Sequence, residues 1–138
     1  MDTDIHRSTH TKATITLSSD CEPVDADGAF SVRDDGFVLE FGIGGDKYVI
    51  THTAEKTVFE CVGMQTYSFV LSDEEYRSTI KTPFGELGFS VKNGSSRATV
   101  SDDGLNMDLG YTLAIDGAAE EARKVGIAAR FNKSGEKK

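Results

Sequence analysis

The chain has 138 residues, enough for one domain with a core of its own, and 28% charged against 38% hydrophobic residues is the balance of an ordinary folded protein rather than a disordered one. Acidic residues outnumber basic ones 23 to 15, for a formal net charge of −8, which repels phosphate backbones and anionic lipid and argues against nucleic-acid and membrane-surface binding. The two cysteines, Cys21 and Cys61, form neither a Cys-x-x-Cys pair nor a zinc spacing with histidine. They are expected to be reduced and structural, which together with the absence of an apolar leader pattern makes the cytoplasm the expected setting.

In chain order, residues 1–11 are polar and aperiodic and are expected to form a flexible arm. The single domain is expected to run from 12 to 131. Lys12 to Ser19 alternates, with Ala13, Ile15 and Leu17 on one face. Asp20 to Gly28 reads as a turn-rich link, and Phe30 and Val32 mark a short second strand closed by Asp34-Asp35-Gly36. Phe37, Leu39, Phe41 and Ile43 share a face, and Gly44-Gly45-Asp46 turns the chain into Lys47–Thr53. Thr57–Val62 and Gln65–Leu71 are further short strands.

Tyr76 to Val91 is the clearest hairpin in the chain. Tyr76, Ser78, Ile80 and Thr82 share a face, Pro83 pre-sets φ at the second turn position, Gly85 suits the fourth, and Leu87, Phe89 and Val91 continue the pattern. Asn93-Gly94 predicts another hairpin, followed by a short strand over Arg97–Ser101. The longest alternation comes next, with Leu105, Met107, Leu109, Tyr111, Leu113 and Ile115 on one side. Ala118 to Arg130 is rich in helix formers, yet Gly126 and the period-two series Val125, Ile127, Ala129 and Phe131 favour a strand. Residues 132–138 are expected to be a disordered basic tail.

About ten short strands with hairpin-length links predict an all-β protein. A sandwich or a barrel fits this spacing; the meander favours an antiparallel up-and-down β-barrel of about 8–10 strands, whose closure removes exposed edges. A barrel of this size either fills with side chains or encloses one small ligand.

The segment Arg77-Ser-Thr-Ile-Lys-Thr-Pro-Phe-Gly-Glu-Leu87, followed by the Leu105–Tyr111 strand, resembles the YwiB family of uncharacterised bacterial proteins. The resemblance extends from about Asp25 through Phe131 and includes Gly28–Phe30, Thr82-x-Phe-Gly-x-Leu87 and Leu109-x-Tyr111-x-Leu113 with the Gly117 turn. It implies a closed, calycin-like (lipocalin-like) barrel and brings no activity or catalytic residue with it. Ile80 stands where the family pattern suggests an aromatic, and the Gly42-x-Gly44-Gly45 link is short and glycine-rich.

Few residues point to chemistry. Asp20, Glu22, Asp25 and Asp27 lack the spacing of a calcium loop, and a solvated acidic loop is the simpler reading. His6 and His10 fall in the arm and His52 stands alone, so no metal site and no cofactor is expected. Arg77, Lys81 and Arg130 lie in strands among small and apolar residues; facing inward they would pair with a ligand carboxylate or with Glu40, Glu60 or Glu86, and facing outward they are the wet face of a barrel. The first functional expectation is therefore a barrel binding a small, partly apolar, anionic ligand in its lumen, with Arg77, Lys81, Tyr111 and Arg130 as candidate contacts. The second is a protein–protein interaction module with a solid core. An enzyme has the least support, because no catalytic constellation is visible. A homodimer is compatible with each reading.

Overall fold

The computed structural model describes residues 10–18 and 23–131. These form ten strands and no helix: β1 (His10–Ser18), β2 (Val24–Arg33), β3 (Gly36–Ile43), β4 (Asp46–Thr53), β5 (Thr57–Val62), β6 (Tyr67–Leu71), β7 (Tyr76–Thr82), β8 (Gly85–Val100), β9 (Gly104–Ile115) and β10 (Glu121–Phe131). The protein is thus the all-β, antiparallel up-and-down barrel that the alternation implies. The sheet order is β6-β5-β4-β3-β2-β1-β10-β9-β8-β7, so sequential neighbours pair throughout and β1 joins β10. That ladder runs from Ala13↔Phe131 to Ser18↔Gly126 and brings the two ends of the barrel domain together.

Period-two patterning converts directly into an inside and an outside. Ala13, Ile15, Phe30, Leu39, Phe41, Ile50, Phe59, Phe69, Phe89, Val91, Leu105, Met107, Leu109 and Ile127 are all buried, and they come from the inward stripes of nearly every strand. Phe30, Leu39, Ile50, Phe59 and Phe69 follow one another laterally across β2 to β6. Rings also meet over an intervening strand and near the seam: Phe30 lies 4.8 Å from Phe131 on the far side of β1, and Phe69 lies 5.2 Å from Tyr111. The middle of the barrel is therefore filled by side chains.

The barrel closes incompletely. Between β6 and β7 the described residues make one bridge, Thr66↔Lys81, with both backbone bonds at 2.9 Å. Farther down this seam β8 takes over. A bulge between Lys92 and Ser95 shifts its register, Asn93 adopts φ 56°, and Gly94 sits so close to β6 that an added Cβ would lie 3.0 Å from the Leu71 Cα. Thr57 on β5 then donates a hydrogen bond across the seam to Ser96 on β8, at 2.8 Å.

Three expectations change. Asn93-Gly94 is the bulge inside one 16-residue strand, not a hairpin, because β7 ends its pairing at Tyr76↔Val91 and β8 must bend to reach β6. The link before Phe30 is mostly strand: Asp25 and Asp27 point out while Ala26 and Gly28 point in, an alternation of charged with small residues that a search for large apolar side chains overlooks. His10 and Thr11 belong to β1 rather than to an arm. The remainder of the expected arm and the tail over 132–138 lie outside the described residues, as do Cys21, Asp20 and Glu22. Residues 121–131 form a strand, as the Val125-to-Phe131 series indicates.

Gly28 shows how tight the wall is. It faces inward between Ala13 and Phe41, and a Cβ there would collide with the Glu40 carbonyl oxygen and lie 2.5 Å from the Ile15 Cδ1. Gly28→Ala is expected to lower stability by about 1–3 kcal/mol, as overpacking of a filled core does, whereas Val62→Thr at an exposed outer position stays within about 0.5 kcal/mol; chemical denaturation of both variants measures the difference.

Candidate functional site

One end of the barrel carries the turns after β3, β5, β7 and β9. Gly44 and Gly45 make the first of these with φ of 59° and 91°, the pair of left-handed residues a two-residue hairpin turn requires. Toward this end the inward stripes lose their burial: Ile43, Tyr48, Tyr67, Ile80, Leu113 and Ile115 are only half-buried. Side-chain packing is therefore looser here than in the closed aromatic packing below it.

Tyr48, Cys61 and Tyr67 are direct lateral neighbours on β4, β5 and β6. Phe41 stacks on Tyr48 at 5.3 Å and 11°, and Phe59 stacks on Tyr67 at 6.4 Å and 8°. Tyr111 reaches this group from β9 by way of Phe69. The phenols share one environment. Burial raises the pKa of Tyr48 to about 12, with the Cys61 thiol adding to the shift. Tyr67 and Tyr111 are also raised, chiefly by burial; the proximity of Cys61, Tyr48 and Tyr111 adds to Tyr67, while Arg123 opposes the shift of Tyr111. Cys61 is a free, buried thiol whose pKa burial pushes up, and its Sγ lies 3.4 Å from the Gln65 carbonyl oxygen. These groups are hydrogen-bond donors at neutral pH, not nucleophiles.

The candidate cations do not meet here. Arg77 and Lys81 lie on the exposed outer face of β7, where Arg77 Nε bonds Glu75 at 3.2 Å. Arg130 is exposed on the outer face of β10, beside a groove of about 870 Å³ lined also by Thr14, Thr16, Asp25 and Asp103. Of the four candidate residues only Tyr111 faces inward, so the structure does not bring them together.

A different cation does. Arg123 continues the stripe of Val125, Ile127 and Ala129, lies opposite Tyr111 in the β9–β10 ladder, and is held by Glu121 through bonds of 3.0 and 2.9 Å. Sequence reading missed it because Arg123 falls within the stretch where helix and strand patterns compete; extending the inward alternation two residues upstream from Val125 would have found it.

The opposite end of the seam carries a second polar group. His52 Nδ1 lies 2.8 Å from the Thr57 hydroxyl, which in turn donates to Ser96. Thr57 is fully buried and His52 packs against Phe37 at 5.1 Å. Desolvation holds the His52 pKa below its ordinary value. The folded state then binds fewer protons than the unfolded one, so the stability tied to neutral His52 is complete above the unfolded pKa of about 6.5 and is lost as pH falls from there toward the folded value. Melting temperature is expected to decline from pH 7 to pH 5.5, and His52→Asn, which keeps a donor but cannot titrate, is expected to flatten that decline. An unchanged slope in the variant would show that His52 is not the source.

No family model matches the chain, and no curated protein matches it. Among solved structures it is similar to the crystal structure of YwiB protein from Bacillus subtilis, with a TM-score of 0.72 over 91% of this chain and 94% of that one, at 11% sequence identity. Identity that low carries the fold and not the activity. The chain has the barrel fold of YwiB.

Proposed function

We propose that this barrel is a binding protein for a small, partly apolar ligand seated at its open end, with an aromatic body against Tyr48, Tyr67 and Tyr111 and an acidic group directed at Arg123. The observation that carries this reading is the contrast along the barrel axis. The centre is filled by phenylalanine and aliphatic side chains, whereas the turn-bearing end keeps inward tyrosines half-exposed. Aromatic walls with a few convergent polar groups are the usual chemistry of a small-molecule site. Three phenols that remain protonated at neutral pH offer donors to a ligand oxygen, and one guanidinium offers a charge-assisted bond. The calycin-like barrel that the resemblance to the YwiB family implies would support the same reading, by fold analogy alone. The free thiol of Cys61 fits a reducing, cytoplasmic setting.

Compared with the expectation from sequence, which placed the ligand in the lumen or at its mouth, this reading keeps Tyr111 and changes the cationic partner from Arg77, Lys81 or Arg130 to Arg123. The chain contains no tryptophan, so intrinsic fluorescence reports on its four tyrosines, three of which are in this group. Titration with anilinonaphthalene sulfonate, an aromatic anion, is expected to quench tyrosine emission saturably. Arg123→Gln is expected to weaken binding about tenfold, the order of one charge-assisted hydrogen bond. Lys81→Gln, on the outer wall, is expected to leave it unchanged. Equal binding by Arg123→Gln and the parent protein, or no saturable binding at all, would overturn the proposal.

A further inference from the structure

Phe84 at the tip of the β7–β8 hairpin is 98% exposed, and Met64 across the seam in the β5–β6 turn is 72% exposed. Leu87 beside them is about half exposed, at 47%. Scattered apolar residues on a surface need no explanation, but these cluster at one place. Between the two turns lies a concavity of about 410 Å³, lined by Met64, Pro83, Phe84 and Leu87 and large enough to admit an aromatic ring.

The tip is held in place. The Thr82 hydroxyl donates to the Gly85 carbonyl at 2.9 Å and accepts from the Phe84 backbone N–H at 3.1 Å. Thr66 and Lys81 exchange backbone bonds just below. Phe84 is therefore presented to solvent by a braced turn, so little ordering cost remains to be met on association.

We propose that this tip is a self-association surface and that its occupant is a second copy of the chain. A projecting ring directly beside a cavity of matching size is what a two-fold contact requires, since each copy then supplies the knob that fills the other's socket. The charges agree. With −8 on each chain, most faces repel their like, but Lys81 and Glu86 stand opposite each other on the outer face of this hairpin and cancel. A two-fold arrangement of two such hairpins sets Lys81 of each copy against Glu86 of the other.

Sedimentation velocity of the full chain, from low micromolar to several hundred micromolar, tests this. The parent protein is expected to show a concentration-dependent dimer. Phe84→Ser removes a fully exposed side chain, is expected to leave the melting temperature unchanged, and is expected to weaken dimerisation at least about tenfold. Lys81→Glu is expected to weaken the dimer, and Lys81→Glu combined with Glu86→Lys to restore it. A parent protein that stays monomeric throughout would overturn the proposal, including one that uses the tip to bind lipid vesicles or an unrelated protein. So would a dimer indifferent to Phe84→Ser.

Discussion

Everything in this molecule depends on which face of each strand looks inward. The lateral row Phe30–Leu39–Ile50–Phe59–Phe69 fixes that choice across five strands, because a slip by one residue would exchange every buried side chain of a strand with its solvent-facing neighbours. Burial of one such side chain is worth roughly 1.5–3 kcal/mol, so a strand with three of them resists slippage by more than any surface ion pair contributes. The exposed positions of Arg77, Lys81 and Arg130 follow from this. They alternate with Tyr76, Ser78, Ile80, Ala129 and Phe131, and once those face the lumen the cations face water.

The same parity explains how far the sequence was legible. Strands with large apolar residues at alternate positions, such as Leu105 to Ile115, could be read directly. Strands whose inward positions are small were harder, as Ala26 and Gly28 in β2 show. The Asn93-Gly94 pair misled because the chemistry that permits a left-handed turn also permits a bulge; the choice between them was made by β6, through the contact of Gly94 with Leu71. No local pattern contains that contact. The face of Arg77 and Lys81 was undetermined for a related reason: their strand neighbours are half-buried, so the hydrophobic contrast between its two faces is weak.

The candidate site was legible only in part. Tyr111 was visible as one of an inward series, but its grouping with Tyr48, Cys61 and Tyr67 arises from lateral register between strands far apart in sequence. Arg123 shares an inward stripe with Val125 yet sits beyond the last apolar residue of it, where alternation no longer distinguishes wall from rim. Sites at the mouth of a barrel are assembled from strand ends, and strand ends are where periodicity is least informative.

The ladder between β1 and β10 carries a further consequence. It is the one ladder that joins strands distant in the chain, and the residues it unites are the first and last of the barrel domain. The weakest joint, between β6 and β7, falls instead in mid-chain, where Thr66 and Lys81 alone bridge the two strands among the described residues. The barrel is thus two meanders, β1 to β6 and β7 to β10, welded by a full ladder at their outer ends and held at the seam by the Thr66–Lys81 bridge, the Thr57–Ser96 hydrogen bond and the packing of Gly94 on Leu71. Residues 72–75 take part in no ladder and supply only the covalent link between the two halves. A chain cut there would keep every ladder of its sheet, and one rejoined through its original termini would begin and end at the seam.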